Sequence, residues 1–177
     1  MIVSVTHELD LDGLGSQAII QRYFNHFLKK NKSKLNLHYA HYTNFIDKIR
    51  EILDFKFLPE QLIISDIGFN DDFKKLFPLF KRFKEKLGKI LWFDHHLIDI
   101  NFKNELKKIL ELFINDPNRC SAEIVKDYYL PEDLIAKKIA KFSRAIDFDT
   151  KNYQIASNLQ SIIAYNRGSE LNEVKKK

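Results

Sequence analysis

The chain has 177 residues, 45% of them hydrophobic, enough for one domain with a sizeable core. Its net charge of +5 permits an anionic substrate, and its single cysteine, Cys120, excludes an internal disulfide and a cysteine-based zinc site. Nothing at the start resembles a leader and no apolar run is long enough for a bilayer, so the expectation is a soluble, cytoplasmic protein with no membrane partner.

Ile2 to Thr6 alternates and is rich in β-branched residues, which predicts a short first strand. It runs into His7-Glu8-Leu9-Asp10-Leu11-Asp12-Gly13-Leu14-Gly15-Ser16. Three carboxylates and an imidazole within six residues repel one another in a plain loop, so a cation is the natural explanation. Ser16 suits a helix N-cap, and the apolar spacing of Ala18, Ile19, Tyr23, Phe24, Phe27 and Leu28 predicts a helix up to Lys30. That aromatic stripe reads as core packing.

Leu35 to Tyr39 reads as a second strand and Asn44 to Asp54 as a helix. His38 and His41, without acidic neighbours, read as packing or surface histidines. Gln61 to Ser65 is a third strand that closes on Asp66 before Gly68. Asn70 or Asp71 caps the next helix, which Pro78 must kink or split. The basic residues from Lys74 to Lys89 could line a path for a phosphate backbone, but the aromatics among them fall on a core-facing stripe, so a solvated face is the better reading. Ile90 to Phe93 forms the fourth strand and empties into Asp94-His95-His96. Successive residues there point in different directions, so the two histidines cannot serve one purpose equally. A fifth short strand is expected at Leu112 to Ile114, and helices from Ser121 to Tyr129, from Pro131 to Ile146, and over residues 153–166. The chain divides into one domain over residues 1–165 and an exposed tail or linker over 166–177.

This alternation of strands and helices predicts an α/β fold: a doubly wound, mainly parallel sheet of about five strands with helices on both faces. The ends of strands one, three and four then share one edge, and His7, Asp10, Asp12, Asp66, Asp94 and His95 converge there. Imidazole mixed with carboxylate suits Mn2+, Fe2+, Co2+ or Zn2+ better than Ca2+. Four or five carboxylates exceed the needs of one divalent ion, whereas two ions ~3.5–4 Å apart, bridged by one Asp, use them all. Such a pair activates water and neutralises a phosphoryl group under attack. No P-loop or dinucleotide fingerprint competes.

His7…Asp10-Leu11-Asp12-Gly13-Leu14-Gly15-Ser16, Ile64-Ser65-Asp66, Asp94-His95-His96 and Asp149-Thr150 resemble, in order, the four motifs of the DHH phosphoesterase superfamily. Ser121-Ala122-Glu123, opening a helix after the third motif, resembles its usual continuation. The resemblance implies two Mn2+ ions, with Mg2+, Co2+ or Zn2+ as substitutes. It implies His7, Asp10 and Asp66 on one ion and Asp12, Asp66, His95 and Asp149 on the other, with Asp66 bridging. His96 would face the scissile phosphate and Asp94 would orient the cluster from behind. Two departures nominate reserves. Two residues intervene between His7 and Asp10 where the superfamily has one or three, which makes Glu8 a substitute, and Asp147 competes with Asp149.

The expectation is therefore a two-metal phosphodiesterase acting on short single-stranded oligonucleotides or related nucleotides. A pyrophosphatase-type hydrolase and a catalytically silent scaffold that binds nucleic acid or protein are the alternatives. Relatives carry a second domain with a glycine-rich His motif, and nothing like it is seen here. Substrate grip is left to a homodimer or a separate domain.

Overall fold

The computed structural model describes residues 1–26, 34–54, 58–150 and 153–166. Five strands, β1 (Ile2–His7), β2 (Leu35–Ala40), β3 (Gln61–Ser65), β4 (Lys89–Asp94) and β5 (Leu112–Asn115), form one sheet in the order β2-β1-β3-β4-β5. Every neighbouring pair is parallel, with Ile2 opposite both Leu35 and Gln61 and Ile64 opposite Trp92. Strands covered on both faces have no polar side to show, and β1 is buried along its whole length.

The connections place helices on both faces. On one side α1 (Leu11–His26), α5 (Ser121–Tyr129) and α6 (Leu134–Asp147) bury Ile19, Ile20, Ile124, Val125 and Ala140 against Ile63, Leu91 and Phe93. On the other, α2 (Phe45–Leu53), α3 (Phe77–Glu85) and α4 (Ile100–Ile109) pack Phe45, Ile49, Phe80 and Leu106 around Trp92. A last helix, α7 (Gln154–Asn166), leans on α6 through Ala156 and Ile163, while Ile155, Leu159 and Ile162 are exposed. Among the described residues no helix is long and apolar enough to cross a membrane.

Two helix starts differ from the sequence reading, for one reason. Helix α1 begins at Leu11, with Ser16 inside it, because Asp10 Oδ1 accepts the Gly13 N–H at 2.8 Å. Helix α6 begins at Leu134 because Asp133 accepts the N–H groups of Ile135 and Ala136, which leaves Pro131 in the preceding turn. In both places an Asp caps more strongly than the Ser or Pro nearby. Asn70 caps a 3-10 turn, Asp71–Leu76, and Pro78 sits in the first turn of the α-helix that follows, so the expected split falls before Phe77. Leu112–Asn115 and Ser121–Tyr129 lie close to where they were expected. The end of the first predicted helix, and the tail from residue 167 onward, lie outside the described residues.

Candidate functional site

The sheet reverses its winding between β1 and β3: from β1 the chain crosses to β2 on one side, then returns to β3 on the other. In open α/β sheets the crevice outside the carboxyl ends of the strands at this point binds ligands. β1 ends there in His7 and β4 in Asp94, and Asp66 directly follows β3.

Gly13 lets the start of α1 lie close against the end of β1, because a Cβ at this position would stand 2.3 Å from the carbonyl oxygen of His7. That approach brings Asp10 to His7, with Oδ2 2.6 Å from Nδ1. It also buries Asp12, whose oxygens accept the backbone N–H groups of Ser121 and Ala122 at 2.7 and 2.8 Å. Asp12 thereby ties α1 to the N-terminus of α5, where a negative charge is favoured.

Asp66 lies between these groups. Its backbone is left-handed, with φ 56°, a conformation Asp tolerates better than most residues, and the residue is 1% exposed. Oδ1 accepts the Ser121 hydroxyl at 3.0 Å and stands 3.4 Å from His95 Nε2, while Oδ2 is 3.8 Å from His7 Nδ1. Each oxygen of one carboxylate thus faces a different imidazole. His95 Nε2 is also 3.8 Å from Asp12 Oδ2, and its Nδ1 is 3.5 Å from Asp147 Oδ2. His96 turns elsewhere: Nδ1 meets Asp94 Oδ1 at 2.8 Å and Nε2 meets the Tyr42 hydroxyl at 3.2 Å.

Crowding of acids sets the electrostatics. Burial pushes the Asp12 carboxyl up to about 6, with the charge of Asp147 adding to it and the two N–H bonds opposing. Burial also lifts Asp66 well above the usual carboxylate range, with Asp12, Asp10 and Asp94 reinforcing it. Asp147 rises through burial, against the pull of His95. Asp10 goes the other way, because its bonds to His7 and the Gly13 N–H overcome burial. Burial works against a charge on His96, yet its bond to Asp94 holds its pKa above the ordinary value. Among the described residues, three sets have donor atoms within 4.8 Å of one another and could hold a metal ion: His7, Asp10 and Asp66; Asp12, His95 and Asp147; Asp66, His95 and His96. The donor set fits a divalent cation, since buried carboxylates that raise one another's pKa are relieved by positive charge.

Compared with known families, residues 1–147 match the DHH family, N-terminal domain. The chain belongs to the DHH family. Members of the DHH family are phosphoesterases that depend on metal ions. No curated protein matches the chain. Among solved structures, an exopolyphosphatase-related protein from Bacteroides fragilis shares the fold, with a TM-score of 0.50 and 12% identity over 96% of this chain. The DHH chain spans 57% of that protein's length.

Of the residues singled out in the sequence, His7, Asp10, Asp12, Asp66, Asp94, His95 and His96 meet at this edge. Asp149 does not join them among the described residues. It follows the end of α6 in a left-handed conformation, φ 46°, and lines a separate hollow of about 260 Å³ with Tyr153 and Ser157. Asp147, the last residue of α6, is the acid that faces His95. Glu8 belongs to none of the three donor sets among the described residues.

Four residues escaped the sequence reading of this DHH site. Tyr42, after β2, bonds His96, and His41 lies with its ring centroid 5.9 Å from that of His7. Gly68 makes room for His96, since a Cβ there would stand 2.7 Å from its Cγ. Asn115, at the end of β5, donates to the His96 carbonyl at 2.8 Å and so fixes the loop. The signal available for Tyr42 and Asn115 was position: both stand at a strand's carboxyl end.

Proposed function

We propose that this chain is a divalent-metal-dependent phosphohydrolase that cleaves phosphodiester bonds in short oligonucleotides or related nucleotides. The observation that carries the reading is Asp66, with one oxygen toward His7 and the other toward His95. A carboxylate so placed suits a bridge between two cations. His7, Asp10 and Asp66 would hold one, and Asp12, Asp66, His95 and Asp147 the other. Mn2+ fits this imidazole-carboxylate mixture, and Mg2+, Co2+ or Zn2+ are the substitutes to test. Bound there, such ions would activate water for attack near neutral pH and offset phosphoryl charge.

The chain's own residues do the rest. Asp94 orients His96 by accepting from Nδ1, so Nε2 is the nitrogen that meets a phosphate oxygen and gives it a hydrogen bond or a proton. Ser121 fixes the Asp66 carboxylate through its hydroxyl, and the start of α5 fixes Asp12. Asp147 is preferred to Asp149 because it alone of the two stands beside His95. Grip on the rest of the substrate belongs to a separate domain or a second copy of the chain.

The shared fold with an exopolyphosphatase-related protein favours a second reading, hydrolysis of phosphoanhydrides. Dinucleotides, cyclic dinucleotides, longer single strands, pyrophosphate and polyphosphate assayed side by side under Mn2+ separate the two. Release of nucleotides from dinucleotides supports the first reading. Turnover confined to pyrophosphate or polyphosphate replaces it with the second, and oligonucleotide binding without turnover of any substrate leaves the scaffold.

A further inference from the structure

We propose that Tyr42 is a positioning residue for His96, holding the imidazole at its outer nitrogen so that the ring meets the substrate's phosphate in one orientation. The inference rests on the role given to His96 above.

His96 lies just past the end of β4, where no backbone ladder fixes its direction. A single bond from Nδ1 to Asp94 leaves an imidazole free to rock about that contact. A second bond at the opposite nitrogen removes the freedom, and the Tyr42 hydroxyl supplies it at 3.2 Å. Two neighbours crowd the ring as well: a Cβ added at Gly68 would stand 2.7 Å from the His96 Cγ, and the His95 ring centroid is 4.4 Å away.

Tyr42 is itself anchored. Its ring packs on the hydrophobic core beneath α2, with its centroid 5.4 Å from that of His7. A phenol hydroxyl can both donate and accept a hydrogen bond. It donates to Nε2 when the ring is neutral and accepts from Nε2–H when the ring is protonated. His96 is held in both states. The arrangement also means that a phosphate oxygen approaching Nε2 arrives beside the Tyr42 hydroxyl, which yields the nitrogen without leaving the site.

Tyr42→Phe removes the oxygen and keeps the ring, and a thermal melt confirms that the fold is retained. Two measurements decide the matter. In metal-free protein with 15N-labelled histidine, the Nε2 resonance of His96 should shift in Tyr42→Phe while those of His7 and His95 stay put. On the best substrate of the assay above, kcat should fall about tenfold with KM within about twofold, the signature of lost orientation. In a His96→Ala background the same change should cost no further activity, because nothing remains to be positioned. An unmoved His96 resonance, or an equal loss of kcat with His96 absent, overturns the proposal. Absence of turnover on every substrate sinks the phosphohydrolase reading and leaves the resonance measurement to decide whether Tyr42 holds the ring.

Discussion

Stability measured against pH in chelated protein tests the acidic cluster directly. Asp12 is carried from 3.8 to about 6 by burial first and by Asp147 second. Below about pH 4 the carboxyl is protonated in folded and unfolded chains alike, and it contributes no difference. Between about 4 and 6 the unfolded chain gives up its proton first, so the fold loses stability as pH rises. Above both values the whole deficit stands, on the order of 3 kcal/mol. Asp66 and Asp147, raised in the same way, act in the same direction. At roughly 2–4 °C per kcal/mol, Asp12 alone lowers the midpoint by about 6–12 °C between acid and neutral pH. A cation present at about a hundred times its Kd returns roughly 2.7 kcal/mol of that. Asp66→Asn takes one charge out of the cluster and keeps an oxygen for the Ser121 hydroxyl. Calorimetry near pH 4.5, 6 and 7.5, with chelator and with Mn2+, should therefore show two differences from the native chain. The variant's midpoint should fall less as pH rises, and Mn2+ should raise it little or not at all. A native midpoint that neither falls across this range in chelator nor climbs with Mn2+ would refute the reasoning.

Asp147→Asn should weaken Mn2+ binding by about 10–100-fold, while Asp149→Asn stays within about threefold, as titration calorimetry can check; the reverse order would restore Asp149 to the site. Gly13→Ala should destabilise the fold by about 1–3 kcal/mol or more in urea unfolding, because the clash is with backbone and no side chain can swing aside. A variant as stable as the native chain would show that α1 can shift away from β1.

Much of the fold was legible because two of the three central strands are apolar runs cut off by an acid. Gln61–Ser65 before Asp66 and Ile90–Phe93 before Asp94 show both the strand and the edge on which it ends. Helix starts were harder, since Asp10 and Asp133 each combine a capping role with a second partner, His7 and Arg22, that only folding reveals. The choice between Asp147 and Asp149 turned on where α6 stops, and a shift of two residues along a helix end swings a side chain round by a little over half a turn. Tyr42 was hidden by composition: among seven tyrosines and fifteen phenylalanines an aromatic after a strand looks like core. Its value depends on β2 lying beside β1, and neighbour order in a sheet leaves no periodic trace in the chain.

The tethering of Asp12 to the first amides of α5 has a bearing on anion recognition. Helix starts commonly cradle phosphate, but here the Ser121 and Ala122 N–H groups are already committed to a carboxylate of the same molecule. An incoming phosphoryl group therefore finds that berth taken and must be met by imidazole and by whatever cations the acids retain. Recognition of this kind depends steeply on the ions in solution and little on backbone dipoles, so depleting divalent ions should weaken substrate capture together with turnover.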